Sequence, residues 1–95
     1  MPTEITQLDD NDRHSTTLRV KGDMTIDDAR LLERIGNDIR AETGHRILID
    51  IADLDLLDSE SAPFLRRLNG RDGFEIEGIE IFLQKAVDQV ERSHE

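Results

Sequence analysis

Polar and apolar residues alternate near the start of the chain in the pattern of a β-hairpin. Along residues 16–21, apolar or threonine side chains alternate with polar ones, which predicts a strand with one buried face that ends at Gly22. Residues 5–8 form a shorter opening strand, and the polar run 9–12 consists of turn-forming residues. The pattern therefore predicts two strands joined by a polar loop.

The next segment has the spacing of an amphipathic helix. Thr25 followed by Asp28 resembles a capping box, and acidic residues are favoured at this end of a helix dipole. The predicted helix ends near Gly44. Its apolar stripe recurs every three or four residues and consists of Ile26, Ala29, Leu32, Ile35 and Ile39.

The middle of the chain predicts a buried strand followed by a second helix. Residues 47–51 are almost continuously apolar and too short for a helix, which favours a central strand covered on both faces. Residues 54–57 are interpreted as its exit loop. Pro63 is harmless only near a helix start, so Ser61 is the predicted N-cap. Phe64, Leu65 and Leu68 then form the buried stripe, and Gly70 closes the helix.

The last third of the chain predicts one more strand and one more helix. Residues 73–78, bracketed by glycines, are interpreted as irregular or extended. Alternation over 79–83 predicts a strand, and Ala86, Val87 and Val90 predict a short helix. The fold class is therefore α/β: one domain over 1–95, with a mixed sheet of about four strands flanked by about three helices. Residues 1–3 and 92–95 are expected to fray.

Composition narrows the classes of partner. The formal net charge is -10, which disfavours DNA, RNA and anionic membranes, because binding to these needs clustered basic residues. With three Phe and neither Trp nor Tyr, a large aromatic ligand pocket is not expected. The chain has no Cys, and no apolar stretch approaches the roughly 18 residues of a membrane span. A cytoplasmic protein without direct membrane insertion is expected.

The residue types that carry catalysis or bind metals are not clustered. His14, His45 and His94 are scattered, which favours solubilising roles over metal ligation. The acidic run 50–58 lacks the glycine and glutamate positions of a calcium loop, and no phosphate-binding loop occurs. We therefore expect that the protein is not an enzyme and that it binds neither a metal ion nor a cofactor. What remains is a predicted helix N-terminus at residues 58–61, where a phosphorylated hydroxyl is physically favourable.

At this point the sequence resembles the STAS domain family of bacterial anti-sigma factor antagonists. The matching run is Leu57, Asp58, Ser59, Glu60, Ser61, Ala62, Pro63, Phe64 and Leu65. A second match is the turn at residues 22–25, which looks like the family's turn before its first helix. The resemblance implies a regulatory module in signal transduction and transcription, which binds an anti-sigma factor with serine kinase activity and is released when phosphorylated.

The resemblance also implies the candidate site residues. Ser59 and Ser61 are the candidate phosphoacceptors. The candidate partner-binding residues are Asp23, Asp58, Glu60, Phe64, Arg66 and Arg67.

The sequence departs from the family pattern at Glu60, which stands where a hydroxyl is usual, and at Ser61, which replaces a glycine. Two alternatives therefore stay open. One is a constitutive STAS subunit or scaffold that binds a transport ATPase or signalling complex without phosphorylation. The other is an unrelated enzyme, which would require a cluster of titrating groups in a pocket.

Overall fold

The computed structural model describes residues 3–78, and these residues form a mixed α/β fold. The predicted α/β class is confirmed. In chain order the elements are β1 (Glu4–Asp10), β2 (Ser15–Met24), α1 (Ile26–Thr43), β3 (Arg46–Asp50), β4 (Leu54–Leu57), α2 (Ser61–Asn69) and β5 (Phe74–Glu77).

The sheet has the strand order β1-β2-β3-β5, and β4 pairs with the end of β2. The β1 and β2 strands form the predicted antiparallel hairpin, whereas β3, β4 and β5 each pair in parallel with a neighbour. The β2 strand continues past Gly22, the predicted end, to Met24. An irregularity between Gly22 and Asp23 shifts the register where β4 joins.

The first helix begins and ends as the sequence predicts. Thr25 and Asp28 form a complete capping box, which satisfies backbone N–H groups that a helix start leaves without partners. At the other end, Gly44 takes a left-handed conformation with φ 73°, and its N–H bonds the carbonyl of Arg40. Gly36 lies on the buried face, where the absence of a Cβ lets the helix approach the ring of Phe74.

The core is almost entirely aliphatic and lies on the side of the sheet that faces the helices. Its buried residues are Leu18, Val20, Met24, Ala29, Leu32, Ile47, Ile49, Ile51, Leu54, Leu65, Leu68, Phe74 and Ile76. The other face carries cross-strand ion pairs, Arg19 to Asp50 at 3.4 Å and Arg46 to Glu75 at 3.5 Å. The prediction that β3 is covered on both faces is therefore wrong for residues 3–78. The strand is central, but within the described residues only the side chains on its helix side are fully buried.

Two further segments are short strands, and the first of them differs from expectation. Residues 54–57, expected to be an exit loop, form β4, because they pair with the end of β2. Residues 73–78, for which the sequence allows an irregular or an extended conformation, contain β5, which pairs with β3. The described part of the sheet thus has five strands instead of about four. The predicted strand at 79–83 and the predicted third helix lie outside the described residues.

The start of α2 also differs in detail. Ser61 is its first residue rather than its N-cap, and the preceding Glu60 makes no side-chain cap. The carboxylate of Asp58 caps the helix instead, by accepting the Ser61 N–H at 2.8 Å. Pro63 is therefore the third helical residue, where an N–H has no intrahelical partner and its loss is harmless.

Candidate functional site

The candidate site lies where β4 ends beside the end of β2. Leu57 pairs with Met24 in the parallel ladder, and the N–H of Asp58 continues the pairing by donating to the Met24 carbonyl at 3.1 Å. Because α1 begins at Ile26, directly after β2, the loop from Asp58 to Glu60 reaches the N-terminus of α1 as it enters α2. Two helix N-termini therefore meet at one loop.

A single carboxylate joins these two helix ends. One oxygen of Asp58 accepts the N–H of Ile26 at 3.1 Å, from the first residue of α1. The other accepts both the N–H and the hydroxyl of Ser61, at 2.8 and 2.6 Å, from the first residue of α2. These bonds, the Ser61 hydroxyl foremost, hold the pKa of Asp58 below its usual range. The acid stays charged and fixes both helices relative to the loop.

A second acidic side chain braces the neighbouring turn. Asp28 accepts the N–H of Thr25 at 3.0 Å, and the Thr3 hydroxyl lies 2.8 Å from the same carboxylate oxygen. The backbone N–H of Thr25 is the main cause of a lowered pKa at Asp28. The Thr3 hydroxyl also contacts the carbonyl of Asp23. The turn that the sequence matched to the STAS pattern is therefore tied to the first residues of the chain.

The two candidate phosphoacceptors have opposite environments. Ser61 is fully buried, with 0% of its surface exposed, and its hydroxyl is engaged by Asp58. Ser59 and Glu60 are exposed. A kinase needs an accessible hydroxyl, so the burial of Ser61 argues against it as an acceptor in this conformation and leaves Ser59.

The candidate partner-binding residues divide into two groups. Asp23 is half-buried and lies opposite Leu56 in the β2–β4 ladder, on the same side of the fold as the loop 58–61. Phe64 is half-buried on α2, and the Arg67 guanidinium lies 5.9 Å from the centre of its ring. Arg66 is exposed but is not among the residues that line the groove beside Phe64 and Arg67.

The groove beside α2 has a volume of about 300 Å³ and runs between the two helices. It is lined by Glu33, Phe64, Arg67, Leu68 and Arg71. Arg71 donates to Glu33 at 2.6 Å and lies 5.2 Å from the centre of the Phe74 ring. One basic side chain of the groove is thus already paired, whereas Arg67 remains exposed to a partner.

Leu56, which was not among the predicted site residues, lies opposite Asp23 in the β2–β4 ladder, two residues before Asp58. It is 59% exposed, the highest value among the large apolar side chains in the described residues. An exposed leucine this close to the loop 58–61 adds an apolar side chain to the surface around Ser59. The sequence places this leucine within residues 54–57, and their interpretation as an exit loop assigned it no role.

Comparison with known proteins adds no assignment: no protein-family model and no curated protein matches the chain. Over residues 3–78, the side chains of His, Asp and Glu form no group of three or more that could hold a metal ion. Neither α1 nor α2, the helices of the described part, is long and apolar enough to cross a bilayer.

Proposed function

We propose that this chain is a non-catalytic regulatory module of the STAS kind, which binds an anti-sigma factor with serine kinase activity in the bacterial cytoplasm and is released when Ser59 is phosphorylated. The observation that carries the proposal is that one loop contains anchoring residues that are buried or half-buried as well as exposed residues. The hydrogen bonds between Ser61 and the Asp58 carboxylate hold the loop in place, while Ser59 and Glu60 are exposed to solvent.

The electrostatics support release by phosphorylation. A phosphate adds about -1.5 to -2 charges at neutral pH. If the partner has a negative charge about 4 Å from the phosphate, each unit of phosphate charge makes the binding free energy less favourable by about 1 kcal/mol in water and by about 4 kcal/mol at an effective dielectric of 20. One unit charge would therefore weaken binding between about fivefold and nearly a thousandfold, and a phosphate carries more than one. A partner that approaches the exposed loop closely, excluding water, would experience the larger effect.

The surface around the loop supports a protein partner. Leu56 and Phe64 offer apolar contacts, and Arg67 offers an exposed guanidinium beside the Phe64 ring. Aromatic and arginine side chains are enriched at the energetically important centres of protein interfaces. The partner that fits has an acidic group to meet Arg67 and an apolar side chain to meet Leu56.

Glu60 favours a second candidate function. Its exposed carboxylate stands beside Ser59 before any modification, which reduces the contrast between the two states of a switch. A constitutive STAS subunit that binds a transport ATPase or a scaffold has no need of that contrast.

The two candidates differ in what Ser59 does. The chain is incubated with an anti-sigma-type serine kinase purified from the source cell and ATP, and intact mass is followed by peptide sequencing. We expect one phosphate, on Ser59, lost in Ser59→Ala and retained in Ser61→Ala. Absence of phosphate, or phosphate on another residue, contradicts the switch. A complex with an ATPase that Ser59→Ala and Ser59→Glu both leave intact supports the constitutive subunit.

A further inference from the structure

The outer edge of β1 is a long strand edge that no other described strand covers. The strand pairs with β2 through seven residues in unbroken register, from Glu4 opposite Lys21 to Asp10 opposite Ser15. Proteins usually protect such edges with charged side chains, proline, a bulge or a covering element. The β1 strand has neither proline nor a bulge, and its charged side chains, Glu4, Asp9 and Asp10, are all acidic, so they repel an acidic strand but not a basic one. Along residues 3–78 its backbone is open to pairing.

The ladder identifies which backbone groups face outward. The N–H of Arg46 in β3 donates to the carbonyl of His14, the residue before β2. The even-numbered residues of β2 therefore direct their N–H and C=O groups towards β3. The odd-numbered residues of β2 therefore bond to β1, where their partners are even-numbered. It follows that Ile5, Gln7 and Asp9 present their N–H and C=O groups to the open edge.

Side chains along the edge carry one sign of charge. Ile5 lies opposite the buried Val20, so the odd-numbered residues of β1 share the helix side of the sheet. The opposite face carries Glu4, Thr6, Leu8 and Asp10, of which Leu8 is 44% exposed. Arg13 contacts Asp10 at 3.8 Å, but both are exposed and such a pair is weak.

These charges argue against a second copy and for a basic partner. Antiparallel pairing of two β1 strands about Gln7 would put Glu4 of each copy opposite Asp10 of the other, and like charges opposite each other destabilise a ladder. We propose that the β1 edge binds an extended segment of a basic partner protein by strand addition. The segment has Lys or Arg at its first and seventh positions, opposite Asp10 and Glu4, and an apolar side chain at its third, opposite Leu8.

A fluorescein-labelled peptide of sequence KTVTVTK tests this with the full chain, by fluorescence anisotropy, against the matched peptide ETVTVTE. We expect saturable binding of the basic peptide and at least tenfold weaker binding of the acidic one. Amide hydrogen exchange of Ile5, Gln7 and Asp9 should slow when the basic peptide is bound. Equal binding of both peptides, or of neither, overturns the proposal.

Two variants separate strand addition from simple charge attraction. Gln7→Pro removes an outward N–H while leaving the bonds to β2, and should abolish binding that Gln7→Ala retains. Glu4→Gln, which leaves no like charge opposite Lys21, should weaken binding of the basic peptide by up to about fivefold, and a peptide with Gln at its seventh position should bind the parent chain and this variant equally. Binding that survives Gln7→Pro in a folded chain overturns the proposal. So does slow exchange of these amides in the chain alone, which would place a second copy or another part of the chain on the edge.

Discussion

Removal of one hydroxyl from each serine of the loop tests how the candidate site is built. Ser61→Ala should destabilise the fold, because the buried hydroxyl donates to the Asp58 carboxylate at 2.6 Å. Ser59→Ala should not, because that side chain is exposed. The two changes delete the same atoms two residues apart, so each is the control for the other.

The size of the effect follows from what the hydroxyl does. A hydrogen bond to a charged group contributes about 1.5 to 3 kcal/mol. The lower end applies here, because Asp58 is half-buried and keeps the N–H groups of Ile26 and Ser61 as donors. Alanine regains up to about 0.5 kcal/mol through its higher helix propensity. The net loss is about 1 kcal/mol, which lowers Tm by about 4 to 8 °C in a domain of this size.

Thermal melting followed by circular dichroism, with urea titration as an independent measure, checks both variants. Ser59→Ala should stay within about 0.5 kcal/mol of the parent chain, as exposed substitutions usually do. Equal destabilisation by the two variants would refute the assignment of Ser61 as an anchor. So would a Ser61→Ala variant as stable as the parent, because the hydroxyl would then contribute nothing to the loop.

Two further predictions concern stability. Asp28 and Asp58 have folded pKa values below the ordinary 3.8, so their contribution to the free energy of unfolding is complete above that pH and is lost as the pH falls through the folded values. The urea midpoint should therefore be constant from pH 7 to about 5 and should decrease below about pH 4. An Asp28→Asn variant whose midpoint decreases just as much would contradict this. Gly36→Ala places a Cβ 2.5 Å from Cε1 of Phe74, so overpacking of about 1 to 3 kcal/mol should outweigh about 1 kcal/mol of helix propensity. Gly70→Ala, at φ -85° with its nearest neighbour 3.5 Å away, should instead stabilise by about 0.4 to 1 kcal/mol, and urea midpoints that shift in the same direction would contradict the packing argument.

The elements that the sequence predicts well are those specified by their own residues. The capping box, the apolar stripe and the closing glycine of α1 all lie within residues 25–44, so local pattern was sufficient. The β4 and β5 strands have four residues each and are held by partners far away in sequence. Leu54, for example, pairs with Gly22, and Phe74 pairs with Ile47. Periodicity over four residues cannot supply that information.

The sequence predicts which residues form the candidate site, but not the contacts that those residues make. The exposure of the loop at Ser59 follows from its position between a strand and a helix. The sequence does contain a signal for the burial of Ser61, because Ser61, Leu65 and Leu68 have the spacing i, i+4, i+7 of one helical face. The bond from Ile26 to Asp58 joins residues 32 positions apart and needed the ladder between β2 and β4 to bring them together.

The role of Asp58 changes how a phosphate at this site would act. From sequence, a helix N-terminus favours added negative charge, because it offers N–H groups without partners. Here Asp58 already occupies the donors of Ile26 and Ser61 at both helix ends. A phosphate on Ser59 would meet a fixed carboxylate on one side and Glu60 on the other, so the fold offers it little stabilisation. Its charge would remain on the surface, where a partner must either neutralise it or leave, and this is the condition that a release switch requires.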